Sequence, residues 1–209
     1  MLSHPGASVL KHHIQNSSLV GHLSQAGFLQ PDLTFVEFGS GRASLSYWLC
    51  RALPSPQSVK LVLVDRASPR HKLDGKLKEL QLKEVMRIRA DIQDLKLSKV
   101  FQQPEHIVAV SKHLCGAATD LTLRCLSELG TVGGFQLKGI MIALCCHHRC
   151  SWQSYVGKQF LQEQGFSRDD FQLLTSISSW ATCGFGKNKS DDNEHDIDEE
   201  CQEFHPNDR

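Results

Sequence analysis

The sequence predicts an α/β domain built on a doubly wound, largely parallel sheet. Three observations lead there. Short aliphatic runs alternate with amphipathic helical stretches, one run (VKLVLVD, residues 59–65) is apolar almost throughout, and a Gly-x-Gly turn follows the first run. Alternating strand and helix signals argue for βαβ units. A continuous aliphatic run suits a strand covered on both faces.

The elements follow in order. Residues 8–29 space Val9, Leu10, Leu19, Val20 and Leu23 as one or two lead-in helices require. LTFVEF (33–38) reads as the first strand, and SLSYWLCRAL as a helix that Pro54 and Pro56 stop. VKLVLVD is the second strand and PRHKLDGKLKELQ a basic helix. VMRIRAD (85–91) and HIVAVSKH (106–113) are the third and fourth strands. AATDLTLRCLSEL is a helix that spaces Asp120 and Arg124 for an i, i+4 pair. GIMIALCC (139–146) is the fifth strand, WQSYVGKQFLQEQGF a helix closing near Gly165, and DFQLLTSISS a sixth strand.

Composition narrows the class. The chain has 209 residues, 40% of them hydrophobic, enough for one domain with a core. No run approaches the roughly 18 apolar residues of a membrane span, and the opening MLSHPGASVLKHH has no secretory pattern. Eight cysteines are too few for a disulfide scaffold, so reduced thiols in cytoplasm or nucleus are expected. The formal net charge of zero divides unevenly. Residues 191–209 hold nine acids and one base, which leaves 22 basic and 14 acidic residues in 1–189. A body of that sign attracts a polyanion. Residues 187–209 are expected to be a disordered acidic tail.

In a doubly wound sheet, ligands sit beyond the carboxyl ends of the strands. VEFGSGRAS puts Glu37, Gly39 and Gly41 there, and Asp65 and Asp91 end the next two strands. Glycines let the backbone approach a ligand, and an acid at the second strand end can hold ribose hydroxyls. A dinucleotide site asks for a third glycine where this chain has Ser44. An acid two residues before the first glycine suits S-adenosylmethionine better. After the fourth strand, SKHLCG brings Lys112, His113 and Cys115 to the same end, and the following helix start favours anions.

The runs FVEFGSG, KHLCGAATDL, IALCCHHRCSW and SSWATCG resemble the family of tRNA 2′-O-ribose methyltransferases that modify the acceptor stem near its fourth nucleotide. The resemblance covers residues 9–184. It implies a Rossmann-like class I methyltransferase domain over residues 31–186, preceded by lead-in helices over 1–30. It implies S-adenosylmethionine as methyl donor and tRNA, not DNA or a membrane, as partner. Glu37, Gly39, Gly41, Asp65, Asp91 and Cys115 are then expected at the donor. Lys112, His113, His147 and His148 are expected at the reaction, with Arg149, Arg70, Lys72 and Lys76 on the tRNA. The family usually has glycine where Ala43 stands, begins with Cys/His-rich zinc modules, and continues into a final helix and strand. This sequence looks like a fragment, splice form or shortened relative that lacks the closing strand.

The run ALCCHHRC (143–150) invites a metal reading. Adjacent ligands cannot easily close one tetrahedron, and structural zinc usually takes two separated pairs; Cys146 and Cys150 could make one pair, and a second would have to come from Cys115, Cys183 or a histidine. In a strand, Cys145 and His147 face one way and Cys146 and His148 the other. Zinc is therefore not expected here, and the thiols are expected to pack. Two other functions remain open. One is a non-catalytic RNA-binding or regulatory relative. The other is a nicotinamide-dependent oxidoreductase, against which Ser44 and the KHLCG run both speak.

Overall fold

The computed structural model describes residues 7–183, apart from 69–72, 102, 104 and 132. The acidic tail lies outside the described residues, as do Arg70 and Lys72. The chain begins with α1 (Ala7–Gln25) and then forms β1 (Thr34–Phe38), α2 (Ser44–Ala52), β2 (Lys60–Asp65) and α3 (Asp74–Glu79). It continues through β3 (Glu84–Arg89), α4 (Leu97–Val100), β4 (His106–Lys112), α5 (Ala117–Gly130) and β5 (Gln136–Ala143). Two last helices, α6 (Lys158–Glu163) and α7 (Arg168–Cys183), close the described part.

All five strands are parallel, in the order β3-β2-β1-β4-β5. The strand order reverses between β1 and β4, which is the switch point of a Rossmann-like sheet. Side-chain parity explains the double winding. Phe35, Leu61, Leu63, Val108 and Val110 pack on one face with Leu45 and Leu49 of α2. Val36, Phe38, Val62, Val64 and Ala109 pack on the other with Leu126 and Leu129 of α5. β1 is buried at all five residues, and each large side chain so buried contributes about 1.5–3 kcal/mol. At the far end of the sheet Glu105 accepts the Thr34 hydroxyl (2.7 Å) and the Lys60 ammonium. No described helix is long and apolar enough to cross a membrane.

Four expectations change. Residues 170–179 belong to helix α7, not to a sixth strand. A capping box explains this. Ser167 Oγ accepts the Asp170 amide (3.2 Å), and Asp170 Oδ2 accepts the Ser167 amide (2.8 Å). The helix expected over 152–166 shortens to α6, because Trp152 and Tyr155 pack on Phe171 of α7, with ring centroids 5.4 and 4.8 Å away. Asp120 accepts the Val156 amide (3.1 Å) instead of facing Arg124 across the helix surface. β5 ends at Ala143, opposite Lys112, where β4 also stops. Residues 144–146 therefore lie beyond the strand.

β5 meets α1's exit loop at Gly139. A Cβ built there stands 2.4 Å from the Phe28 ring. Gly139→Ala is expected to cost about 1–3 kcal/mol by overpacking. Gly75→Ala, within α3 and with open space around it, is expected to be neutral or stabilising by up to about 1 kcal/mol. Chemical denaturation of the two variants checks the contrast.

Candidate active site

The register brings the strand-end motifs to one edge of the sheet. Glu37 of β1 lies opposite Val110 of β4, and the Ser111 hydroxyl donates to the Phe38 carbonyl (2.7 Å). Gly39, Asp65, Asp91 and Lys112 thus all stand at or just past the carboxyl ends of β1 to β4.

Glu37 is 3% exposed. Its Oε2 accepts the Ser46 amide (3.2 Å) and the Ser46 hydroxyl. Burial raises its pKa from 4.5 to about 7, against the opposing pull of Ser46, Arg87 and Lys112. The carboxyl ties the end of β1 to the first turn of α2. Gly39 (φ 64°) and Gly41 (φ 43°) take the turn through the left-handed region, and a Cβ on Gly41 would meet only open space. Asp65 accepts the Gly41 amide (2.7 Å) and the Ala67 amide (2.7 Å). Each of its oxygens keeps a further lone pair. Asp91 caps a 3₁₀ turn by accepting the Gln93 amide (3.1 Å).

Arg87 of β3 was not singled out by the sequence reading. It forks onto Asp74 (3.1 and 2.6 Å) and donates to the Ser40 hydroxyl (3.2 Å) and the Gly41 carbonyl (3.1 Å). A cation inside a strand of a parallel sheet was the available signal. Ala43, at φ 60°, holds the strained left-handed position where a glycine is unstrained.

At the other side of the crevice, Lys112 Nζ lies 3.4 Å from Nδ1 of His12 in α1. The His12 ring stands edge-on to His113, 5.9 Å between centroids. His113 is exposed and sits at φ 62°, a strained geometry of the kind that collects at functional sites. His12 is the second residue missed by the sequence reading, since α1 is remote in sequence from β4.

The loops after β4 and β5 interlock. Gly116 has φ 54°, and a Cβ on it would stand 2.5 Å from the Arg149 carbonyl. His147–Arg149 form a 3₁₀ turn, with His148 and Arg149 exposed; the His147 side chain lies outside the described residues. Cys115 Sγ lies 2.9 Å from Cys145 Sγ, and the thiols of Cys115, Cys145 and Cys146 are all within 4.8 Å of one another. The expected split, with Cys145 and Cys146 on opposite faces, does not occur because the chain has left the strand. Lys76 is exposed and lies over the Tyr47 ring (5.8 Å), which Arg51 also covers (5.9 Å).

Comparison with known proteins decides the family. Residues 14–209 match the family described as Methyltransferase TRM13. The chain belongs to that family. It is 35% identical to the human tRNA:m(4)X modification enzyme TRM13 homolog, over 93% of this chain and 50% of that protein. It is 40% identical to the tRNA:m(4)X modification enzyme TRM13 of Scheffersomyces stipitis, over 84% of this chain and 48% of that one. The Saccharomyces cerevisiae protein of the same name is 35% identical over 83% and 46%. The chain thus spans about half the length of these TRM13 relatives.

Within this TRM13 domain the Glu37 carboxyl has a testable signature. A folded-state pKa above the unfolded one means the native state alone holds the proton between pH 4.5 and about 7. Stability from this group is therefore present at low pH and lost as pH rises through that window. The stability difference between wild type and Glu37→Gln should change by about 3 kcal/mol across it, read by denaturation at both ends. A difference independent of pH would contradict the shift.

Proposed function

We propose that this chain is a class I methyltransferase domain that transfers a methyl group from S-adenosylmethionine to a ribose 2′-hydroxyl of tRNA, in the acceptor stem near its fourth nucleotide. One observation carries the reading. In a chain of the Methyltransferase TRM13 family, the Gly-x-Gly turn, Asp65 and the Lys112–His12–His113 cluster converge on one crevice at the switch point.

The crevice residues fit such a donor. Gly41 offers backbone with open space above it, and the Asp65 oxygens keep acceptor capacity for two ribose hydroxyls. Asp91, at the third strand end, would border the adenine side. When bound, the donor supplies an electrophilic methyl on a sulfonium. The chain's residues have the rest of the task. Holding the hydroxyl in line is worth about 7–11 kcal/mol at best. A ring nitrogen of His113 takes the hydroxyl proton, which adds about 10²–10⁴-fold. The Lys112 ammonium stabilises the developing alkoxide, and His12 positions it. His148 and Arg149, on the exposed turn facing the Gly116 loop, suit contact with the RNA backbone. Lys76 and Arg51 around Tyr47 offer a further cationic and aromatic surface for a stem.

Incubation with labelled donor and unmodified tRNA, followed by mapping of the 2′-O-methyl group, tests the proposal. Lys112→Ala and His113→Ala should each lower transfer by about 10²–10⁴-fold while donor affinity stays within about threefold. Full turnover in both variants would remove the assignment. Donor binding with no transfer to any tRNA would leave a binding relative, not an enzyme.

tRNA binding should weaken steeply with salt, because cationic contacts release counterions. Lys76→Ala should reduce the slope of log affinity against log salt by up to about one, and a wild-type affinity independent of salt would remove the phosphate contacts.

A further inference from the structure

Six described cysteines are reduced thiols, and half of them meet in one place. Cys115 follows β4, and Cys145 and Cys146 follow β5. Their sulfurs lie within 4.8 Å of one another, although 30 residues separate Cys115 from Cys145. Local spacing argued against a metal because adjacent cysteines cannot close a tetrahedron, and Cys115 was only one of several residues that could complete it. The third ligand comes from another loop, which only the fold brings near.

We propose that Cys115, Cys145 and Cys146 form a three-thiolate site for a thiophilic divalent cation, zinc above all, that pins the loop after β4 to the loop after β5. Soft sulfur donors select zinc over magnesium or calcium. Three chain ligands leave the fourth tetrahedral position to solvent. Bonds of about 2.3 Å imply sulfur separations of about 3.8 Å, so Cys115 and Cys145 part by roughly 1 Å on binding, which side-chain rotation supplies. The process balances simply. Each S–H releases its proton to solvent, each sulfur donates a pair to the cation, and nothing is oxidised. The site's net charge is then minus one.

The cluster is poorly suited to remaining three thiols. They are partly buried, and Cys115 Sγ lies only 2.9 Å from Cys145 Sγ, closer than two non-bonded sulfurs rest. A cation converts that mutual crowding into coordination. A disulfide between Cys115 and Cys145 would also relieve it, but it engages two sulfurs, leaves Cys146 aside, and needs an oxidant such as a peroxide. The interlock at Gly116 and Arg149 means that a bound cation would stiffen both the KHLCG loop and the His147–Arg149 turn.

The test uses the full chain, reduced and washed with chelator. Cobalt(II) serves as the spectroscopic probe and zinc as competitor. One equivalent of cobalt should give a thiolate-to-metal charge-transfer band that zinc abolishes. Cys115→Ser, Cys145→Ser and Cys146→Ser should each weaken binding by at least about tenfold, with Cys125→Ala, on α5 facing the Leu95 carbonyl, unchanged. Folding of each variant is checked by circular dichroism. Alkylation of the wild-type protein with and without zinc, mapped by mass spectrometry, gives a readout that needs no variant. Protection of Cys115, Cys145 and Cys146 together supports the site. A folded chain with no thiolate band, a band that survives Cys115→Ser, or equal alkylation with and without zinc overturns it. So does a Cys115–Cys145 disulfide formed by mild peroxide when zinc gives no protection.

Discussion

The buried contact between Glu37 and Ser46 is the constraint on which the crevice depends. A carboxyl taken out of water costs several kcal/mol unless it is hydrogen-bonded or neutralised. Here two bonds from Ser46 partly offset that cost, and a raised pKa lowers the charge. The contact joins the last turn of β1 to the first turn of α2, so the glycines between them have little freedom left. Asp65 then takes the Gly41 amide from the β2 side, and Arg87 takes the Gly41 carbonyl from the β3 side. Arg87 is itself oriented by Asp74 at the start of α3. Five elements thus hold one short turn, and this is how a site becomes pre-organised instead of mobile.

The opposite wall is built differently. Backbone close approach organises it, with Gly116 admitting the Arg149 carbonyl and His113 held in a strained left-handed conformation. α1 adds His12 against Lys112 from outside the sheet. The lead-in helix therefore reaches the carboxyl end of β4 and does not only cover the core. The three thiols lie between these two loops, beside both the KHLCG run and the His147–Arg149 turn.

Much of this was readable in the chain. The aliphatic runs are dense enough that five strands were legible to within a few residues, because parallel strands buried on both faces have little polar content. The placement of Glu37, Asp65, Asp91 and Lys112 at or beside strand ends was legible because each closes or follows an aliphatic run. The stretch after Ala143 was not, since a strand's alternation holds only while a partner strand continues, and β4 stops at Lys112. Residues 170–179 misled because Leu, Thr, Ile and Ser serve either structure. The decisive signal was the Ser167–Asp170 capping box, a local cue outweighed by an apparent β pattern.

The sequence by itself determined the layer order, the location of the crevice and the residue types at its rim. It did so through periodicity and glycine placement, which are local properties. Only the tertiary structure decided that His12 meets Lys112, that Arg87 clamps the Gly-x-Gly turn, and that Cys115 joins Cys145 and Cys146. Each of those contacts links segments that share no local pattern, so it exists only once the parallel register has set which loops lie side by side.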